Sequence, residues 1–380
     1  MGDAIIVLDP LLKLARNLRR NRKKFHICVP LAAFMVRGQL KGLIEYVIQQ
    51  HDVQDNVTVV DYDELSGIDN DFDLYVHYST SLGGYLYNNR QFMGAKRKVT
   101  SKVKEDNSID YTLFDDVIDT TAFAQLNFPL WAHYNEVNRQ ILERYFDISC
   151  DAIRYSLELD WNSHTPVPNP QRSDKTFMFH VCDDMSSSAR WDNSDYIKFI
   201  KCLNSQMKNL PKISFVVHNN EDSVREIVNS IDNDVEYIQG ELKDIAEHIN
   251  NNVHAVFTHS TGILHLAAAL SCTTVELSRS QQKYHGIEWC PPCRRGKHFI
   301  ISPRFFGWDD LVDIDIELAS KKVYSWMFDR LYCPIDDTLS AYRTLYSTIL
   351  EMETRISKDD LSTLAFAIDN KINQVNNFKF

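Results

Sequence analysis

Short apolar runs alternate with longer amphipathic stretches along most of the chain. Phe25–Val29, Asn56–Val60 and Asp73–His77 are rich in aliphatic and aromatic residues and too short for helices, so they are expected as strands. Ahead of them, Leu11, Leu12, Leu14, Ala15 and Leu18 line one face of a helix, and Gln39–Gln50 carries a second helical period. Lys96 to Lys104 reads as a basic loop, and Tyr111 to Leu159 as an aromatic-rich helical zone. The pattern then breaks. Asp160 to Pro170 holds Pro166, Pro168 and Pro170 and no period, the signature of an interdomain linker. Beyond it the alternation restarts, with strands at Thr176–Val181, Ile213–Val217, Val235–Ile238, Ala255–Thr258 and Thr273–Leu277. Helices fall between them at Ser194–Met207, Asp222–Ile231, Leu242–Asn250 and Gly262–Leu270. Leu339–Lys379 reads as packing helices. Strands that alternate with helices imply parallel sheets covered on both faces. The expected fold class is therefore α/β, with two Rossmann-like, doubly wound domains facing a cleft at the carboxyl ends of their strands. The expected division is 1–160, a linker at 161–175, a second domain at 176–315, and C-terminal helices at 316–380 that pack back across the domains.

Composition narrows this picture. Hydrophobic residues make up 44% and charged residues 24% of the 380 positions, which excludes a disordered chain. The net charge of −11 excludes a surface that is basic all over. Charge is unevenly spread, however. Residues 1–50 carry nine basic side chains against three acidic ones, with Arg19, Arg20, Arg22, Lys23 and Lys24 gathered at the end of the first helix. Such a run is either a solvated helix terminus or a site for an anionic partner. The eight cysteines are scattered and mostly lie in apolar runs, which reads as buried thiols in a reducing compartment. The N-terminus lacks the basic-then-apolar order of a signal peptide, and Ile27 to Val36 is too short to span a bilayer. A cytoplasmic location is expected, without a transmembrane segment.

The densest chemical signal is His254 to Leu270, where an apolar strand runs into Ser260-Thr261-Gly262 and then directly into an alanine-rich helix. Two hydroxyls and the unpaired N–H groups of the helix start would meet at one point, an arrangement suited to an anion such as phosphate. Gly262 permits close backbone approach, and His265, one turn on, either orients the loop or touches the ligand. The plain alternative is an ordinary helix cap with a structural histidine. Cys290 and Cys293 have metal-like spacing, and Cys272, Cys333, His285 and His298 are conceivable further ligands; no second such pair exists, so a loop with incidental thiols is preferred and no metal is expected.

The run Ser260-Thr261-Gly262-x-x-His265-Leu266-Ala267-Ala268-Ala269-Leu270, followed by Thr274-Val275-Glu276-Leu277, resembles the signature of the ADP-heptose:lipopolysaccharide heptosyltransferases, glycosyltransferase family 9, which have the GT-B fold. Gly240-Glu241-Leu242-Lys243-Asp244-Ile245-Ala246 is similar to the family segment before it. Arg190-Trp191 is similar to the family's Lys-x-Trp, and Gly2-Asp3 with Pro10 to its Gly-Asp…Pro element. The likeness is specific over about 176–280 and thin before that. Where the family usually has aspartate, this chain has Ser260.

The resemblance implies an inverting glycosyltransferase that moves a sugar from a nucleotide-diphosphate sugar, ADP-heptose-like or a UDP or GDP sugar, with no cofactor and no metal. Residues 1–160 would bind the acceptor and 176–315 the donor. Ser188, Ser260, Thr261, Gly262 and His265 would hold the donor diphosphate, and Arg190 would neutralise charge on the leaving group. Asp3 would be the general base. If Ala4–Leu8 is instead the first strand, Asp9 at its carboxyl end takes that role. Arg19, Arg20, Lys96 and Arg97 predict an anionic acceptor, most simply a lipopolysaccharide core glycan, with peripheral membrane contact. Three rivals stand beside this reading: transfer to hydroxymethylated bases in DNA, modification of protein, and a non-catalytic nucleotide-sugar-binding protein.

Overall fold

The computed structural model describes residues 11–31 apart from Lys13, 39–50, 53–61, 72–77, 95–102, 110–121, 130–148, 176–182, 190–207, 212–259, 261–270, 272–277, 298–301 and 315–328. The chain divides into two compact units, Asp3–Leu157 with Ile349–Ala365 and Glu158–Thr348 with Phe366–Phe380. The expected linker at 161–175 and the stretch Leu339–Lys379 lie outside the described residues.

The first unit begins with a helix at 11–20 (α1), followed by β1 (Ile27–Leu31), α2 (Gln39–Gln50), β2 (Val57–Asp61) and β3 (Tyr75–His77). These match the expected positions. β1 and β2 pair in parallel with Ile27 opposite Val57. The segment expected as a basic loop is instead β4 (Lys98–Lys102), and the described residues of the expected helical zone form a 3-10 turn at Tyr111–Leu113, then β5 (Asp116–Asp119), then α3 (Leu130–Phe146). β3, β4 and β5 form a parallel sheet in that order. Leu14 and Leu18 of α1, Val99 of β4, Ile118 of β5 and Val137, Ile141 and Leu142 of α3 share one buried cluster, so both helices press against this sheet.

The second unit follows a regular alternation: β6 (Thr176–His180), α4 (Asn193–Gln206), β7 (Ile213–Val216), α5 (Glu221–Ser230), β8 (Val235–Ile238), α6 (Leu242–Asn252), β9 (Val253–Thr258), α7 (Gly262–Ala269), β10 (Thr273–Leu277), β11 (His298–Ile301) and α8 (Ile316–Phe328). Every sheet neighbour is parallel, in the order β11-β10-β9-β6-β7-β8. The first three strands run outward in one direction from β6 and the next three in the other, which is the doubly wound arrangement. β7, β9 and β10 are buried along their whole length, as a sheet covered on both faces requires. Phe177, Phe179, Phe215 and Phe257 fill the core, with the Phe179 and Phe257 rings stacked at 4.6 Å. α8 belongs to this core: Ile316, Ala319, Val323 and Met327 join the cluster, and Gln206 of α4 donates to the Ser320 hydroxyl at 2.8 Å. No helix among the described residues is long and apolar enough to cross a membrane.

Candidate functional site

In a doubly wound sheet the crevice opens where successive connections leave the carboxyl edge in opposite directions. In the second unit that point lies between β6 and β9, which are adjacent although their first residues, Thr176 and Val253, lie 77 positions apart. β6 ends at His180 and β9 at Thr258, and these two meet directly: His180 Nδ1 lies 3.0 Å from Thr258 Oγ1. Thr258 Oγ1 is in turn 3.2 Å from Thr261 Oγ1. Thr261 is the N-cap of α7, and its extended backbone (φ −133°, ψ 171°) is what a cap requires. Its hydroxyl is turned to Thr258, and it makes no side-chain capping bond to the helix. The Leu264 and His265 N–H groups donate to the Thr261 carbonyl at 3.1 and 3.4 Å, so the first turn presents its earliest N–H groups, with the positive end of the helix, at the crevice. Thr261 and Gly262 are half-buried and His265 is buried.

Arg190 directly precedes a residue tied to this strand end. Its neighbour Trp191 donates its backbone N–H to His259 Nε2 at 3.2 Å, which ties the 190–192 segment to the end of β9. Asp192 then caps α4: its carboxylate accepts from the Asp195 N–H at 3.0 Å, and the Asp195 carboxylate accepts from the Asp192 N–H at 3.0 Å. The Trp191 indole is buried in edge contact with Tyr196 and Phe199 at 5.8 and 5.3 Å. Of the residues read from the sequence, Thr261, Gly262 and His265 belong to the start of α7, and the Trp191–His259 bond brings the backbone next to Arg190 to the end of β9, two residues before Thr261. His180, Thr258 and His259 were missed. Their only sequence signal is position, each at or just past the end of an apolar strand.

Ser188, Ser260, Asp3 and Asp9 lie outside the described residues, as do Cys290 and Cys293. Among the described residues no group of three or more histidine, cysteine, aspartate or glutamate side chains is placed to hold a metal ion.

The basic residues of the first unit read from the sequence precede its strands in the chain. Arg19 and Arg20 end α1 and lead into the start of β1; Lys96 and Arg97 precede β4. All four are exposed and stand at the amino ends of the strands they adjoin. Lys96 pairs with Asp73 at 2.8 Å, and the Arg97 guanidinium lies 5.7 Å over the Tyr145 ring. Lys102, at the carboxyl end of β4, lies over the Tyr111 ring at 5.6 Å. At the carboxyl end of β3, burial pushes the His77 imidazole down to about 4, and its Nδ1 is 3.0 Å from Thr100 Oγ1.

No protein-family profile matches the chain, and no curated protein matches it in sequence. Solved structures do match. The E. coli heptosyltransferase WaaC, determined with ADP, superposes with a TM-score of 0.58 at 11% identity, covering 86% of this chain and 96% of that one. E. coli ADP-heptose lps heptosyltransferase II gives 0.56 at 14% identity over 87% and 96%. A glycosyl transferase family 9 protein from Veillonella parvula gives 0.52 at 12% identity over 98% and 95%. The fold is thus that of the family 9 heptosyltransferases, GT-B, as the sequence resemblance implied.

Proposed function

We propose that this protein is an inverting glycosyltransferase that takes a sugar from a nucleotide-diphosphate sugar, with the second unit as the donor side. The observation that carries the reading is the start of α7, whose N-cap side chain makes no capping bond, at the junction of β6 and β9, with the 190–192 segment tied beside it. A diphosphate needs N–H donors, hydroxyls and a guanidinium converging from different elements, and we assign these to the first turn of α7, Thr261 and Arg190. In this reading Thr261, Gly262 and the neighbouring Ser260 and Ser188 bind the diphosphate, while His265 braces the first turn of α7 from inside. Arg190 stabilises the charge that develops as the nucleoside diphosphate departs, worth about 2–4 kcal/mol of barrier by analogy with other preorganised donors. Asp3, or in its place Asp9, removes the proton from the acceptor hydroxyl.

The acceptor is anionic in this reading, a phosphorylated glycan of the lipopolysaccharide core type, bound by the first unit. Support comes from the basic excess of residues 1–50. Since Arg19, Arg20, Lys96 and Arg97 adjoin amino ends of strands, they would meet acceptor phosphates remote from the reacting hydroxyl. The ADP bound in the WaaC structure makes ADP-sugars the first donors to test.

The test is a thermal-shift screen of ADP-, GDP-, UDP- and CDP-sugars. One class is expected to raise the melting temperature by mass action, through a stabilisation of about 2.7 kcal/mol at a hundredfold excess over Kd. A flat response to all four at millimolar concentration sinks the assignment.

A further inference from the structure

His259 is fully buried, directly before Ser260-Thr261-Gly262, and has no part in the phosphate contacts proposed above. An imidazole in the interior costs desolvation that a valine or leucine at the end of an apolar strand would avoid. What it provides is an acceptor. Its Nε2 receives the Trp191 backbone N–H at 3.2 Å across 68 positions of chain, which requires the neutral ring with the proton on Nδ1. Tyr196, which meets the His259 ring edge-on at 6.3 Å, and the Asp192 cap hold the following residues. Arg190 precedes Trp191, so its Cα is about 3.8 Å from that of the tethered residue. A shift of the Trp191 N–H carries Arg190 with it.

We propose that His259 is a positioning residue for the donor diphosphate: by holding the Trp191 N–H it sets where Arg190 stands relative to the start of α7. The proposal rests on the donor-site reading and adds to it a specific tether between the two halves of the site. His259 itself does not touch the ligand. A buried side chain of this kind influences affinity only through the group it places, and that is what separates it from a packing residue.

Calorimetric titration of ADP and of inorganic pyrophosphate into the full-length protein tests this with His259→Asn, His259→Gln, Arg190→Ala and the double variant His259→Asn/Arg190→Ala. Glutamine carries its carbonyl oxygen as many bonds from Cβ as Nε2 and can accept from Trp191; asparagine is too short. His259→Asn is expected to weaken both probes about tenfold, the scale of one charge-assisted hydrogen bond, and His259→Gln to recover all but about threefold of that. In the Arg190→Ala background the asparagine change is expected to cost less than about twofold, because coupled residues are non-additive. Equal factors in both backgrounds, or undiminished affinity in His259→Asn, overturn the proposal. Amide exchange at Trp191 in the wild type reads the tether without any substitution: it should slow when pyrophosphate binds, and unchanged exchange overturns the proposal even if the variants fail to fold. A wild type that binds neither probe overturns the donor-site reading and this inference together, whereas a wild type that binds with an indifferent His259→Asn removes the inference alone.

Discussion

His77 shows how one buried side chain makes a whole unit sensitive to pH. It is 4% exposed, stacked on Phe114 at 5.9 Å, and titrates at about 4 in the fold against 6.5 in the unfolded chain. Between those values the unfolded chain binds the proton and the folded one does not. The stability it contributes is therefore complete above pH 6.5 and lost as pH falls toward 4. Lowering the pH from 7 to 5 should cost the first unit about 2 kcal/mol in urea denaturation, and His77→Asn, which keeps a partner for Thr100, should flatten that dependence. Arg22 presents a different kind of strain. It follows α1 at φ 54°, in the left-handed position that closes the helix, with Arg22 N–H to Arg19 carbonyl at 2.9 Å and Lys23 N–H to Leu18 carbonyl at 3.0 Å. Glycine suits that conformation better than arginine, so Arg22→Gly should raise the denaturation midpoint, by about 1 kcal/mol in stability.

At the scale of elements, two of the three strands that the periodicity missed, β4 and β5, have a shared cause. β4 carries lysine at both ends and only Val99 as an aliphatic; its buried Thr100 and Ser101 are tolerated because hydrogen bonds from neighbours satisfy them, Thr100 with His77 among them. β5 hides Val117 and Ile118 between aspartates, one of which, Asp116, pairs with Arg144 at 2.7 Å. Partners of this kind lie 20 or more residues away and leave no local trace. Where the cue is local, as in the capping pair of α4, the expected helix agrees with the observed one to within a residue. Asp192→Ala should lower stability by about 1 kcal/mol on denaturation. It should also weaken pyrophosphate, because the same residue closes the Arg190 segment. Gly240 ends the β8 connection at φ 147°, and a Cβ there would stand 2.8 Å from Asp244 Oδ2, the carboxylate that accepts from the Glu241 N–H at 3.1 Å. Gly240→Ala should cost the second unit roughly 1–3 kcal/mol, seen as a lower midpoint, since both backbone and cap must give way.

For the whole molecule, the groups proposed to hold the donor all belong to the second unit, so binding should be legible as a regional effect. Hydrogen exchange in saturating ADP or pyrophosphate is expected to slow over 176–182, 190–192 and 258–265 and to leave 98–102 in the first unit unchanged. Slowing confined to the first unit would place the phosphate there instead. The alternation of strand and helix in the second unit, the start of α7 at Gly262 and the basic character of the first fifty residues were all readable from the sequence, because period, cap and charge are properties of neighbouring residues. Strand order was not. Only the folded chain sets β9 against β6, and that adjacency brings His259 to Trp191 and Thr258 to His180. The same adjacency gathers His180, Thr258 and Thr261 at the carboxyl ends of β6 and β9. Contacts between residues far apart in the chain depend on how whole elements pack, and no local spacing encodes them.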